Sequence, residues 1–293
     1  MSRALDVGGR AVAVAEAGSG APLVYLHGFV DIHGSSSDLL PFHRALAAKV
    51  RVVAPAHPGC GVSEENEEID TIEDMVFHYL QLLDALEIGA FHLAGASIGG
   101  WIAAELAIRL PERVRSLALI GATGLFVPQH PIADIFMMVQ AKNGGDYSDF
   151  RHTLFRAAGA PEALEMFPDG RMPAERELLR YRMFRLASRI GFSPPYLHHR
   201  KLRDRLHRFT GPAAVVAGER DSLVPIAHAR AYAQGLLNAQ LMLIAEAGNS
   251  VAVEKPDEVA AAVLACVGRA GAASAVEGQD NPLQWQTRAP GRD

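Results

Sequence analysis

Ser97 stands at the centre of Gly95-Ala96-Ser97-Ile98-Gly99, where small residues are spaced around a single hydroxyl. The apolar stretch Phe91-His92-Leu93-Ala94 precedes it, and a helix-like stretch runs from Gly100 to Leu110. Strand, tight turn and helix in that order put the serine at an apex, as a nucleophile elbow requires. Small neighbours let the strand and helix backbones close on each other, and the hydroxyl projects above the sheet. The helix start adds an N–H and the positive end of a dipole beside it. A dinucleotide-binding turn is the nearest rival reading. It fails because G-x-G-x-x-G is absent and no ribose-binding acid follows at the required distance.

A serine hydroxyl needs a base, and the base needs an orienting acid; on this kind of scaffold the order is serine, acid, histidine, each at a strand end. The strand predicted at 213–218 ends in Glu219-Arg220-Asp221-Ser222-Leu223-Val224-Pro225, and Asp221 in the turn is the candidate acid. Glu219 follows the strand too closely to face the serine. The preceding strand, 114–120, is followed by Gly121-Ala122-Thr123 and offers no carboxylate. The early strand Pro22–Leu26 runs into His27-Gly28-Phe29. Gly28 permits close approach of the backbone, so the N–H groups of Phe29 and Ile98 are the expected oxyanion donors. His27 is read as a loop residue that ties the turn together.

With these residues placed, the chain resembles the α/β-hydrolase superfamily, in the capped branch that includes esterases, lactonases and carbon–carbon bond hydrolases. The resemblance rests on His27-Gly28-Phe29, Pro58-Gly59-Cys60-Gly61-Val62-Ser63, Gly95 to Gly100, Gly218-Glu219-Arg220-Asp221 and Glu254-Lys255-Pro256. After the last strand the family pattern is Gly-His, a few residues, then Glu-x-Pro. This chain reads Gly248-Asn249-Ser250-Val251-Ala252-Val253-Glu254-Lys255-Pro256, so Asn249 occupies the position of the family histidine.

An asparagine amide can still donate to Asp221, but it neither reaches onward to the serine nor accepts a proton near neutral pH. In a serine protease, loss of the base costs about a million-fold in turnover, about 8 kcal/mol. Three explanations stand open: an engineered replacement that traps substrate or acyl-enzyme, natural loss of hydrolysis, or rescue by His27, His57, His130 or His228. The expected reaction is attack by Ser97 on a small or medium, mainly apolar ester, lactone or activated ketone, through an acyl-enzyme and in a base-deficient form. A non-hydrolytic small-molecule receptor, or a lyase or cofactor-free oxygenase on the same scaffold, is the alternative. Val30, Phe136, Met137, Met138, Val224 and Ser250 are the candidate pocket residues. No cofactor is implied, and the scattered histidines lack metal-ligand spacing.

These side chains need an α/β frame: a doubly wound, mostly parallel sheet with a helical lid after the sixth strand. A hairpin is expected around Gly8-Gly9, with helices at 37–48, 70–86, 226–236 and 257–267 and a last strand at 240–244. Between 124 and 207 the alternation breaks into helical pieces at 132–138, 150–158 and 175–190. The expected division is core 1–123, lid 124–207, core 208–270 and a mobile tail 271–293. The 293 residues carry a net charge of −5 and no large basic block, so nucleic acid is an unexpected partner. Two distant cysteines argue against a disulfide framework, and no apolar leader or membrane-spanning run is present. The expectation is a cytoplasmic monomer or homodimer acting on a small molecule.

Overall fold

The computed structural model describes residues 2–28, 39–135, 147–170, 173–191 and 196–277. Its strands are β1 (Ser2–Val7), β2 (Arg10–Ala17), β3 (Pro22–Leu26), β4 (Arg51–Pro55), β5 (Phe91–Ala96), β6 (Val114–Ile120), β7 (Ala213–Gly218) and β8 (Ala239–Ile244). They form one sheet in the order β1-β2-β4-β3-β5-β6-β7-β8. β1 and β2 make the antiparallel hairpin expected around Gly8-Gly9, and β2 also runs antiparallel to β4. Every pairing from β4 to β8 is parallel. The sequence explains this: β3, β5 and β7 are nearly unbroken apolar runs, and strands covered on both faces need such runs.

Helices cover both faces. Along β3 the side chains alternate: Val24 and Leu26 enter one core, Leu23 and Tyr25 the other. The first core is closed by α2 (Ile72–Ala85), α3 (Ser97–Arg109) and α8 (Ile226–Gly235), through residues such as Met75, Tyr79, Leu106 and Tyr232. The second is closed by α1 (Pro41–Ala47), α9 (Val251–Glu254) and α10 (Pro256–Glu277), through Phe42, Leu46, Val251, Val259 and Val263. Each large side chain fully buried in this way contributes about 2 kcal/mol. From β3 the chain steps outward to β4 and then returns to β5 on the other side of β3. Loops leaving the carboxyl ends of β3 and β5 therefore diverge, which opens the crevice where parallel sheets hold ligands.

Between β6 and β7 the described elements are helical: α4 (Ser148–Leu154), α5 (Pro161–Met166), α6 (Ala174–Gly191) and α7 (Leu202–Arg205). They have a small aromatic core, with Phe150 edge-on to Phe167 and Phe184 at ring separations of 5.0 and 5.3 Å. Arg185 and Arg189 tie α6 to Glu65, each at 2.8 Å.

Several helix expectations change. The helix expected at 37–48 begins at Pro41, while 37 and 38 lie outside the described residues. The helix expected to end at 267 continues to Glu277. Residues 270–276 are mostly alanine, and alanine's helix propensity outweighs the roughly 1 kcal/mol cost of Gly271. The tail expected from 271 therefore starts as helix; 278–293 lie outside the described residues. The helix expected at 150–158 spans Ser148–Leu154. Of the one expected at 132–138, residues 132–134 are not helical, and 136–138 lie outside the described residues.

Candidate active site

Ser97 begins α3 with φ of +50°, a left-handed conformation that costs a non-glycine residue about 1–2 kcal/mol. Its surroundings enforce it. A Cβ on Gly95 would fall 2.3 Å from the Gly99 carbonyl oxygen, and one on Gly99 would fall 2.2 Å from that of Leu26. Strand, turn and helix thus meet at backbone contact distance, which only glycine on both flanks allows. A Cβ on Gly28 would lie 2.9 Å from that of Ser97, so the loop after β3 rests against the serine. Ser97 is 3% exposed, and its Oγ has no hydrogen-bond partner among the described residues.

Asp221 sits in the turn after β7. Its Oδ1 accepts from the Leu223 and Val224 amides at 2.9 and 2.8 Å, and its Oδ2 accepts from Asn249 Nδ2 at 2.9 Å. Burial pushes its carboxyl up to about 6 despite these bonds, with Glu254 adding a smaller push in the same direction. Glu219, two positions before Asp221, is exposed. Asn249 is 5% exposed, and its amide makes a second contact at 3.3 Å to the Gly121 carbonyl at the end of β6. Ser97, Asn249, Gly28 and Ser250 share the wall of one small cavity. Ser97, Asn249 and Asp221, read from three distant stretches, thus come together at the carboxyl ends of β5, β8 and β7.

Two of the histidines considered as substitutes are committed elsewhere. The His57 amide donates to His27 Nε2 at 2.9 Å, so the proton of that ring is on Nδ1, which donates to the Gly28 carbonyl at 3.0 Å. His57 Nε2 donates to the His27 carbonyl at 2.9 Å, and its Nδ1 accepts from the Tyr79 hydroxyl. Burial holds His57 well below the usual imidazole range. Both rings are therefore neutral braces of the loop that carries Gly28. His228 donates to the His130 carbonyl, in a different cavity.

Of the remaining candidates, Ile98 is fully buried in the first turn of α3, and Ser250 is buried beside Asn249. Val224 holds Asp221 through its backbone amide. Phe29, Val30, Phe136, Met137 and Met138 lie outside the described residues. Sequence reasoning passed over Glu254 as a functional brace. Its Oε2 accepts from the Gly248 amide at 2.7 Å, and its Oε1 from the amides of Arg156 and Ala157 at 2.8 and 3.2 Å. The Leu154 carbonyl also accepts from the Ser250 amide at 2.9 Å. The helical segment and the asparagine loop are therefore joined by one backbone hydrogen bond and by the Glu254 carboxylate. The Glu-x-Pro motif was the available signal.

An eight-stranded, mostly parallel sheet with a serine elbow after β5 and an acid after β7 defines an α/β hydrolase. A family model for the alpha/beta hydrolase fold matches residues 21–256, and the chain belongs to that family. The acetoin-cleaving-system dihydrolipoyllysine-residue acetyltransferase component of Pseudomonas putida is 32% identical over 273 residues, which cover 89% of this chain and 67% of that protein. The pimeloyl-[acyl-carrier protein] methyl ester esterase of Xanthomonas campestris is 30% identical over 248 residues, covering 84% and 94%. The crystal structure of 2-hydroxy-6-oxo-6-phenylhexa-2,4-dienoate hydrolase from a Rhodococcus strain shares the fold, with a TM-score of 0.74 at 22% identity over 92% of this chain and 98% of that one. No described helix is long and apolar enough to cross a membrane.

Proposed function

We propose that this chain is a capped serine hydrolase for a small or medium, mainly apolar ester, lactone or activated ketone, in a form that lacks its general base. The carrying observation is the 2.9 Å hydrogen bond from Asn249 to Asp221, in a cavity that Asn249 shares with Ser97. Ser97 is the nucleophile, and the amides of Ile98 and Phe29 hold the oxyanion. Asp221 orients residue 249, and the helical segment between β6 and β7 acts as the lid. The carboxamide keeps the acid-side hydrogen bond of a histidine and lacks the outer nitrogen that would take the serine proton. Relatives named as hydrolases and esterases support the reaction class.

The test is Asn249→His, assayed on a panel of p-nitrophenyl esters beside the unchanged chain. The expected outcome is a gain in kcat of about 10³-fold or more, abolished by adding Ser97→Ala. No gain would overturn the base-deficient reading.

A second reading, a receptor that binds without turnover, draws on the second amide contact. Gly121 O lies 3.3 Å from Asn249 Nδ2. An imidazole Nδ1 carries one hydrogen and could not serve Gly121 and Asp221 together, so the site suits asparagine in its own right. Unchanged ester turnover in Asn249→His, with an affinity for apolar carbonyl compounds that the histidine weakens, is the result this reading expects.

A further inference from the structure

A second cavity, of about 500 Å³, lies beyond the carboxyl end of β6, and neither Ser97, Asp221 nor Asn249 is among its lining residues. Its size is ordinary for a small-molecule site. Leu125, Phe126, Val127, Ile132 and Leu197 supply apolar wall, and Phe126 and Tyr196 keep 45% and 54% of their surface exposed.

Two imidazoles on this wall decide its chemistry. His228, 1% exposed, donates from Nε2 to the His130 carbonyl at 2.7 Å. A carbonyl only accepts, so the proton is on Nε2 and Nδ1 keeps a lone pair; that atom is buried and has no hydrogen-bond partner among the described residues. His198 repeats the arrangement with the nitrogens exchanged. Its Nδ1 donates to the Tyr196 carbonyl at 2.6 Å, and its buried Nε2 has no partner among the described residues. Burial keeps both rings below the usual imidazole range, so both are acceptors at neutral pH. A buried acceptor without a donor is a standing cost to the fold, and a ligand hydroxyl that parts the side chains covering the nitrogen would remove it. Asp134, also on the wall, has an interaction of its own. Two lone pairs and a carboxylate disfavour an anion.

We propose that this cavity is a second ligand site, for a neutral and largely apolar small molecule that donates a hydroxyl to His228 Nδ1. Aromatic edges at Phe126 and Tyr196 suit a phenolic body. The site stands independently of the hydrolase reading, since it uses none of the residues assigned to catalysis.

The probes are 4-propylphenol and its methyl ether, 4-propylanisole, titrated against the full chain by ligand-observed NMR. The phenol is expected to bind about tenfold more tightly, as one well-made hydrogen bond warrants. His228→Leu should abolish that preference and leave the ether within about twofold of its former affinity, because the apolar wall remains. Val127→Trp, which adds bulk to the apolar wall and leaves all three histidines in the sequence, should remove both ligands. Ser97→Ala should leave both affinities unchanged. Equal affinities for phenol and ether, no binding at millimolar concentration, or phenol binding that survives both His228→Leu and Val127→Trp would each overturn the proposal.

Discussion

Ser97 carries two local costs, a left-handed backbone and a buried hydroxyl without a partner among the described residues. Removing the hydroxyl while keeping the backbone should relieve the second. Ser97→Ala is therefore expected to be more stable by about 1 kcal/mol, an upward Tm shift of about 2 °C, measured by urea and thermal unfolding. Ser116→Ala should move the opposite way by a similar amount, because that hydroxyl is 2% exposed and bonded to His92 Nδ1 at 2.8 Å. Two alanines shifting in the same direction would refute the account of Ser97. The same contrast explains what was legible beforehand. Ser97 could be found because backbone approach dictates the glycines beside it, and Asp221 because a carboxylate in a strand-end turn is a residue-type signal. The amides of Leu223 and Val224 could not, because a backbone donor has no residue type. Val224 was accordingly read as a pocket wall for its side chain.

Glu254 shows how elements, rather than single groups, hold the site. It begins no strand and touches neither Ser97 nor Asp221 by a hydrogen bond, yet its two oxygens fix three amides from opposite sides. One amide belongs to the loop that presents Asn249, and two belong to the chain leaving α4. Glu254→Ala should cost about 2 kcal/mol, and hydrogen exchange should rise together at 154–157 and 248–250 while β5 stays protected. Exchange that rises at only one of the two segments would show that they are not coupled through this carboxylate. Elements with a strong period were read well in advance: β3 at Pro22–Leu26 and β7 at Ala213–Gly218 have the expected limits. Ends set by weak local preference were not, as α10 shows by continuing through alanines to Glu277. The Glu254 brace joins residues nearly a hundred positions apart, so the Glu-x-Pro motif marks the glutamate but not the distant amides it binds.

At the scale of the whole molecule, the two cores sequester imidazoles that the unfolded chain would expose to water. Burial lowers His78 and His92 from 6.5 to about 4, and lowers His57 well below its usual range. Between those limits the unfolded chain binds protons that the folded one refuses, so these residues lose stability as pH falls. Asp221 acts in the other direction. Its carboxyl is raised from 3.8 to about 6, so over that window the fold holds a proton that the unfolded chain has released. Stability through this group is therefore greatest in acid and falls as pH rises. Three imidazoles outweigh one carboxylate, and stability, with Tm following it, is expected to fall steadily from about pH 7 to about pH 4.5, by roughly 2 kcal/mol each through His78 and His92 and further through His57. His92→Gln, which keeps a polar contact to Ser116 without a titrating ring, should flatten that slope. Asp221→Asn should gain on the parent chain as pH rises, because the variant has no carboxylate to ionise in a dry site. Calorimetric unfolding of the three proteins across that range decides the matter: a level Tm in the parent would sink the imidazole argument, and an Asp221→Asn difference that does not grow with pH would sink the carboxylate one.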